Sequence, residues 1–313
     1  MEKLAYAATV CGSYETAATL LRKLGHAADD ATLHALAQRL GARAEQQTRA
    51  RLAAPPSAPP PNRAASELAV IQLDGWQVRQ RGAGWGKKKT KKPRVEWHEL
   101  KTGVFYLQEH AARKNRRGIL TQKAVVSWQG EPLELGRRLH HEACARGLSL
   151  ARAQLVVADG APWIWNLAHD RWRGAVALLD FYHASQHLWD LGEAVVGSRD
   201  GSRAWVEKKL HQLRHGRQQQ ALRALAALKP GRGARGQVIR QEQNYFAGHA
   251  RRLNYRSVAQ RGWPVGSGAV ESVCRQRQGR FKGRGQFWTR GGLCHLGALA
   301  DALQNGHWDK LWN

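Results

Sequence analysis

The stretch Pro264–Trp288, PVGSGAVESVCRQRQGRFKGRGQFW, decides how the rest of the chain is read. Gly266 and Gly268 make a flexible turn, and Ser267 stands where a helix cap belongs. A helical pattern follows, with one carboxylate, Glu271, in its first turn. Behind it come Arg275, Arg277, Arg280, Lys282, Arg284 and Arg290, with Phe281, Phe287 and Trp288 interleaved and no acid before Asp301. A single acid beside that much positive charge fits a metal ligand placed next to a polyanion. It also fits a helix-capping Glu on a basic surface. Matching carboxylates upstream would decide for the metal.

Two such carboxylates exist. ELAVIQLDGWQV, from Glu67, reads as a buried strand ending at Asp74-Gly75, and LVVADGAPWIW, from Leu155, as another ending at Asp159-Gly160. Asp-Gly alone is turn chemistry. Between and around the two acids the chain runs as follows. A basic hairpin tip spans Arg79 to Arg94, with Lys87, Lys88, Lys89, Lys91, Lys92 and Arg94 and no acids. Strands follow at Val95–Gln108 and Ala124–Trp128, then a helix at Leu133–Gly147. After Asp159 come a short helical connection, a strand at Gly174–Asp180 and a helix through Val196. Three strands, a helix, a strand, a helical connection and a strand give an α/β fold with a ribonuclease-H-like mixed sheet. In that arrangement the first and fourth strands are neighbours, so Asp74 and Asp159 are expected to face each other. Like charges in contact need a cation. Hard carboxylate oxygens suit Mg²⁺ or Mn²⁺, and a third acid allows two ions.

The remaining regions divide cleanly. Residues 1–50 read as helices: Ser13 caps one with Ala17, Leu20, Leu21 and Leu24 on its face, stopped by Gly25. Asp29 or Asp30 caps a second with Leu33, Leu36, Ala37 and Leu40, ended by Gly41. Two short helices and a tight turn suit a helix-turn-helix, with His34, Gln38, Arg39 and Arg43 facing outward; a plain helical hairpin is the alternative. Residues 51–66 hold five of the ten prolines, between Pro55 and Pro61, and form a linker. The sheet domain then covers 67–197 and resumes at 259–313, interrupted by a helical, basic insertion at 198–258.

Fifty Lys and Arg against 24 Asp and Glu give a net charge of +26, which points to nucleic acid or an anionic membrane. No apolar run nears the ~20 residues needed to span a bilayer. Double-stranded DNA is therefore the expected partner and the cytoplasm the expected setting. Cys11, Cys144, Cys274 and Cys294 stand far apart, with no paired spacing for a zinc ribbon or a disulfide framework. His183 and His187 have metal-ligand spacing on a helix, but phosphoryl transfer on hard metals needs no imidazole, so a structural or DNA-contacting role is expected. Of thirteen Trp, those near the acids (Trp76, Trp163, Trp165, Trp288) are either core or platforms for unpaired bases.

Asp74 in IQLDGW, Asp159 in VVADGAPWIW and Glu271 in GSGAVES, followed by Cys274, Arg280, Lys282, Gly285 and Trp288, resemble the DDE transposases of bacterial insertion sequences. The nearest likeness is to the ISKra-type family, related to Mutator-like elements. It covers residues 67–300, and SYETAATLLRKLG and TLHALAQRLG resemble that family's DNA-binding helices. The resemblance implies Asp74, Asp159 and Glu271 as catalytic metal ligands, a helical insertion before the Glu, and an accessory Asp180-Phe-Tyr-His183 motif. It implies cleavage at element ends, joining of 3′-hydroxyls to target DNA, and a synaptic homodimer or larger assembly. Members usually carry more sequence ahead of the first helices, which leaves a shortened copy with weakened end recognition open. A catalytically inactive DNA-binding relative and a structure-specific nuclease are the rival readings. Glu193, on the helix after the fifth strand, is the rival third acid; the insertion and the basic tail favour Glu271.

Overall fold

The computed structural model describes residues 1–59, 64–115 and 117–312. Pro60 and Pro61, part of the expected linker, lie outside the described residues. The chain is α/β, with a mixed five-stranded sheet and many helices. It divides into two compact units. The first holds Met1–Glu67, Asp74–Ala151 and Ala269–Asn313; the second holds Leu68–Leu73 and Arg152–Gly268.

The first unit starts with three helices, α1 (Glu2–Val10), α2 (Tyr14–Lys23) and α3 (Asp30–Ala53). Ser13 caps α2 through Thr16 N–H, and Asp29 caps α3 through Thr32 N–H, both as the sequence predicts. Two details differ. Leu20 and Leu24 are exposed while Ala17, Ala18 and Leu21 are buried, so the packed face is rotated from the expected one. The second helix is also not short: it runs through Gly41 for 24 residues. Gly41 is a contact residue rather than a stop, since a Cβ there would lie 2.2 Å from the His295 carbonyl oxygen. α1, α2 and α3 bury Leu21, Leu33, Leu36 and Leu40 in one core with Leu299, Trp308 and Leu311 near the C-terminus.

β1 (Ser66–Arg81) and β2 (Val95–Leu107) form the long hairpin. The expectation that the first strand ends at Asp74-Gly75 is corrected: Asp74 lies mid-strand. The strand continues past it in pairing with β2, and Trp76 Nε1–H donates across to Thr102 Oγ1 at 3.1 Å. Gly75 fits because Glu99 Oε1 would stand 2.3 Å from any Cβ there. Next come a small hairpin that the sequence did not signal, β3 (Ala111–Lys114) and β4 (Arg117–Leu120), and then β5 (Ala124–Trp128), antiparallel to β2 with Val104 opposite Val125. α4 (Pro132–Ala145) packs on β2 and β5. Arg138 of α4 forks onto Glu45 of α3 at 2.7 and 2.8 Å.

The second unit contains β6 (Ala151–Ala158, its body from Arg152), α5 (Pro162–Arg171), β7 (Val176–Leu179) and α6 (Phe181–Val196). β6 stops just ahead of Asp159-Gly160, as the sequence predicts, and Pro162 opens the short helical connection right after that turn. β6 and β7 are parallel, with Ala158 opposite Leu179. The helical, basic block comprises α7 (Arg203–Arg214), α8 (Gln218–Ala226), α9 (Ala234–Gly248) and α10 (Tyr255–Gln260), with α9 packed on α6. The chain then enters α11 (Gly268–Phe281), which carries Glu271, and α12 (Arg290–Gln304), which packs on α3. The sheet order is β5-β2-β1-β6-β7. Among the described residues no helix is long and apolar enough to cross a membrane.

Candidate active site and nucleic-acid interface

In the first unit, Asp74 is half-buried on β1 and meets α11. The Cys274 thiol donates to its carboxylate, and burial together with that negative charge pushes the thiol pKa up. Glu271 sits three residues earlier on α11, almost one turn away and also half-buried. Strand and helix therefore bring Asp74 and the first turn of α11 together. Glu193 belongs to the second unit, where it is exposed on α6 and faces Arg199 at 3.8 Å.

In the second unit, Asp159 and Asp180 follow the last paired residues of adjacent parallel strands. Their surroundings differ sharply. Asp159 is half-buried and accepts one backbone bond, from Ala161 N–H at 2.9 Å. Asp180 is fully buried and spends both oxygens. Its Oδ1 caps α6 by accepting from Tyr182 and His183 N–H, at 2.6 and 2.9 Å. Its Oδ2 accepts from the Ser267 backbone N–H and, at 2.7 Å, from the Ser267 hydroxyl. Gln72 Nε2 donates to the Gly266 carbonyl at 3.2 Å, so the turn that opens α11 is held from both sides.

Residues of the insertion that the sequence did not single out close over Asp159. The Tyr245 ring lies where a Gly160 Cβ would be, 2.3 Å from that position. It stacks on His187 at 3.6 Å between ring centres, and His187 Nδ1 bonds Glu242 Oε2 at 2.7 Å. Burial, then the charges of Asp159, Glu242 and Asp180, raise the Tyr245 pKa. His249 bonds the Gly160 backbone, yet burial and then Arg252 hold it down at about 4, so it is neutral near pH 7. The only hint in the sequence was the His183–His187 spacing, and His187 turns out to serve Glu242 and Tyr245. Nothing in the helical periodicity of α9 marks Tyr245 or His249.

Among the described residues no three His, Cys, Asp or Glu side chains are grouped as a ready metal site. Half-buried carboxylates, the hard oxygen donors that a divalent ion takes, stand in each unit: Asp74 and Glu271 in the first, Asp159 in the second. Asp180, also in the second, accepts four hydrogen bonds.

The two basic runs come together in the first unit. The segment after α11 lies along the end of β1: Arg81 N–H donates to the Trp288 carbonyl at 2.9 Å, and Arg79 Nη2 donates to the Gly283 carbonyl at 2.7 Å. Lys87, Lys88, Lys89, Lys91, Lys92 and Arg94 are exposed on the hairpin tip, where Arg94 donates to the Lys87 and Lys88 carbonyls. Arg79 lies over Phe287, Phe287 against Trp85, and Arg81 over Trp85, at 5.0, 4.9 and 5.3 Å. Arg275 and Arg284 are exposed, and Lys282 is half-buried near Trp97. Arg277 and Arg280 turn inward instead: Arg277 pairs with Asp301 at 2.7 Å and Arg280 donates to the Ala8 carbonyl at 3.1 Å. Of the four tryptophans near the acids, Trp76, Trp165 and Trp288 are buried; Trp163 is half-buried. His34 and Arg39 are exposed on α3, while Gln38 turns to His295 at 3.0 Å.

No protein-family model and no curated protein matches this chain.

Proposed function

We propose that the chain is a DDE transposase of the insertion-sequence kind, with a ribonuclease-H-like sheet, that cuts DNA at its element's ends and joins the 3′-hydroxyls to target DNA. The observation that carries this reading is the bond from Cys274 to Asp74, which sets the helix bearing Glu271 against the strand bearing Asp74. The strand order supports it, because β1 neighbours β6, after which Asp159 follows. Asp74, Asp159 and Glu271 would hold two Mg²⁺ or Mn²⁺ ions, which supply an activated oxygen nucleophile and stabilise the leaving oxygen. The chain's own residues do the rest. Asp180 fixes the turn that launches Glu271, and Tyr245 and His249 hold the Asp159 loop. The exposed lysines of the hairpin tip take phosphates. α2 and α3, acting as the helix-turn-helix, present His34, Arg39 and Arg43 to duplex DNA, and two ends require a dimer or a larger assembly.

The test is a paired comparison in a Mg²⁺-dependent nicking and strand-transfer assay. Glu271→Gln is expected to be inactive while still binding DNA, and Glu193→Gln to retain activity. The reverse result sinks the assignment. Nicking without joining returns the chain to the nuclease class.

A further inference from the structure

A cleft of about 530 Å³ lies within the first unit, between α2, α3 and the segment that leads into α12. We infer that it binds one unpaired nucleotide of a DNA strand, with the base against aromatic walls and the phosphate drawn to Arg280 and Arg81. This rests on the DNA reading above and adds to it the form of the substrate.

Arg280 is the decisive group. It is 6% exposed, and its guanidinium lies 4.6 Å from the centre of the Tyr14 ring and 5.5 Å from that of Trp288. Its Nη2 donates to the Ala8 carbonyl, and its other neighbour is the Tyr14 hydroxyl, which also meets Gln38. A buried cation held by neutral groups and by no carboxylate is costly, and an anion in the cleft beside it offsets that cost. A bare phosphate is too small for the space, which falls in the ~300–1,000 Å³ range of organic-ligand pockets. Tyr14, His34, Phe287 and Trp288 supply ring surfaces of the kind on which bases stack. Glu15 and Asp30 also line the cleft, and two carboxylates suit the exocyclic amine of a base rather than a second phosphate. Arg81, at the foot of the exposed lysine loop, links the cleft to the surface expected to carry the duplex. A base inside a duplex has its faces covered by its neighbours, so the base that reaches these rings must be unpaired.

The experiment uses the full chain, a blunt duplex, the same duplex with a 2-aminopurine overhang, deoxyadenosine monophosphate and inorganic phosphate. The overhang duplex is expected to bind about tenfold tighter than the blunt one, the effect of one stacked base, with its fluorescence quenched. The mononucleotide should reverse the quench at concentrations where phosphate does not. Arg280→Gln and Phe287→Ala should each lose most of the overhang preference. Phe287 is only half-buried, so its variant decides the matter if Arg280→Gln fails to fold. Equal affinity for both duplexes, or an unchanged preference in Phe287→Ala, overturns the inference while leaving the DNA reading intact. Mononucleotide binding without an overhang preference marks a free-nucleotide site and also overturns it. If no duplex binds at all, the DNA reading itself falls.

Discussion

Asp180→Asn separates a structural tie from a metal ligand. The carboxylate is fully buried and accepts four hydrogen bonds, two from the start of α6 and two from Ser267. Asparagine keeps one acceptor oxygen and can still cap α6. Its amide then faces the Ser267 N–H, donor against donor. The hydroxyl can rotate to accept, but the backbone N–H cannot. Losing a hydrogen bond to a charged acceptor and stranding a buried donor costs about 3 kcal/mol together. Asp180→Ala removes the cap as well and should cost about 1 kcal/mol more. The assay is denaturant unfolding of the full chain, followed by tryptophan fluorescence, beside metal-dependent cleavage. Both variants should unfold earlier, and cleavage should fall with the loosened turn ahead of Glu271. An Asn variant as stable as the wild type but dead in cleavage would refute this reasoning and make Asp180 a ligand.

Replacing Lys87, Lys88, Lys89, Lys91 and Lys92 with Ala should flatten the log–log salt dependence of duplex binding by up to about 4.5, if each lysine neutralises a phosphate. An unchanged slope takes the hairpin tip off the DNA. Glu142 gives a pH signature: burial opposes its charge, but His307 and Arg146 outweigh burial and bring it from the ordinary 4.5 down to about 2. Because the folded pKa is depressed, this contribution is complete above about pH 5 and lost as pH falls towards 2. Glu142→Gln should remove up to about 3 kcal/mol of it and level the acid side of the stability curve; an acid limb as steep as the wild type's would count against the network. Gly41→Ala should destabilise by about 1–3 kcal/mol through overpacking against the His295 backbone, despite alanine's better helix propensity. A raised melting temperature would contradict that close approach.

What the sequence made legible was what local patterns control. Ser13 and Asp29 cap their helices because a short oxygen-bearing side chain ahead of an apolar run has few better uses. The order of strands followed from the apolar runs at Leu68–Leu73, Leu155–Ala158 and Val176–Leu179. Long-range contacts decided the points that differed. Asp-Gly at 74–75 carries a turn signal, yet pairing with β2 and the Trp76–Thr102 bond carry the strand on to Arg81. Gly41 carries a stop signal, yet its missing Cβ admits α12. The inward turn of Arg277 and Arg280 was hidden for the same reason: their partners, Asp301 and the Ala8 carbonyl, come from the far end and the very beginning of the chain.

The insertion illustrates how such contacts bear on the chemistry. Read along the chain, residues 198–258 only delay the arrival of Glu271. In the second unit they do more, since α9 packs on α6 and places Tyr245 where a side chain at Gly160 would stand. Gly160 is next to Asp159, and its backbone also bonds His249 from the same insertion. The loop bearing Asp159 therefore cannot shift without moving α9. α6 is itself capped by Asp180, whose other oxygen holds Ser267, four residues before Glu271. Residues on both sides of the insertion are thus joined by one set of contacts within the second unit. Tyr245 and His249 engage the residues beside Asp159, and Asp180 engages the turn at Ser267, so within the second unit residues 198–258 pack against the Asp159 loop rather than standing apart as a spacer.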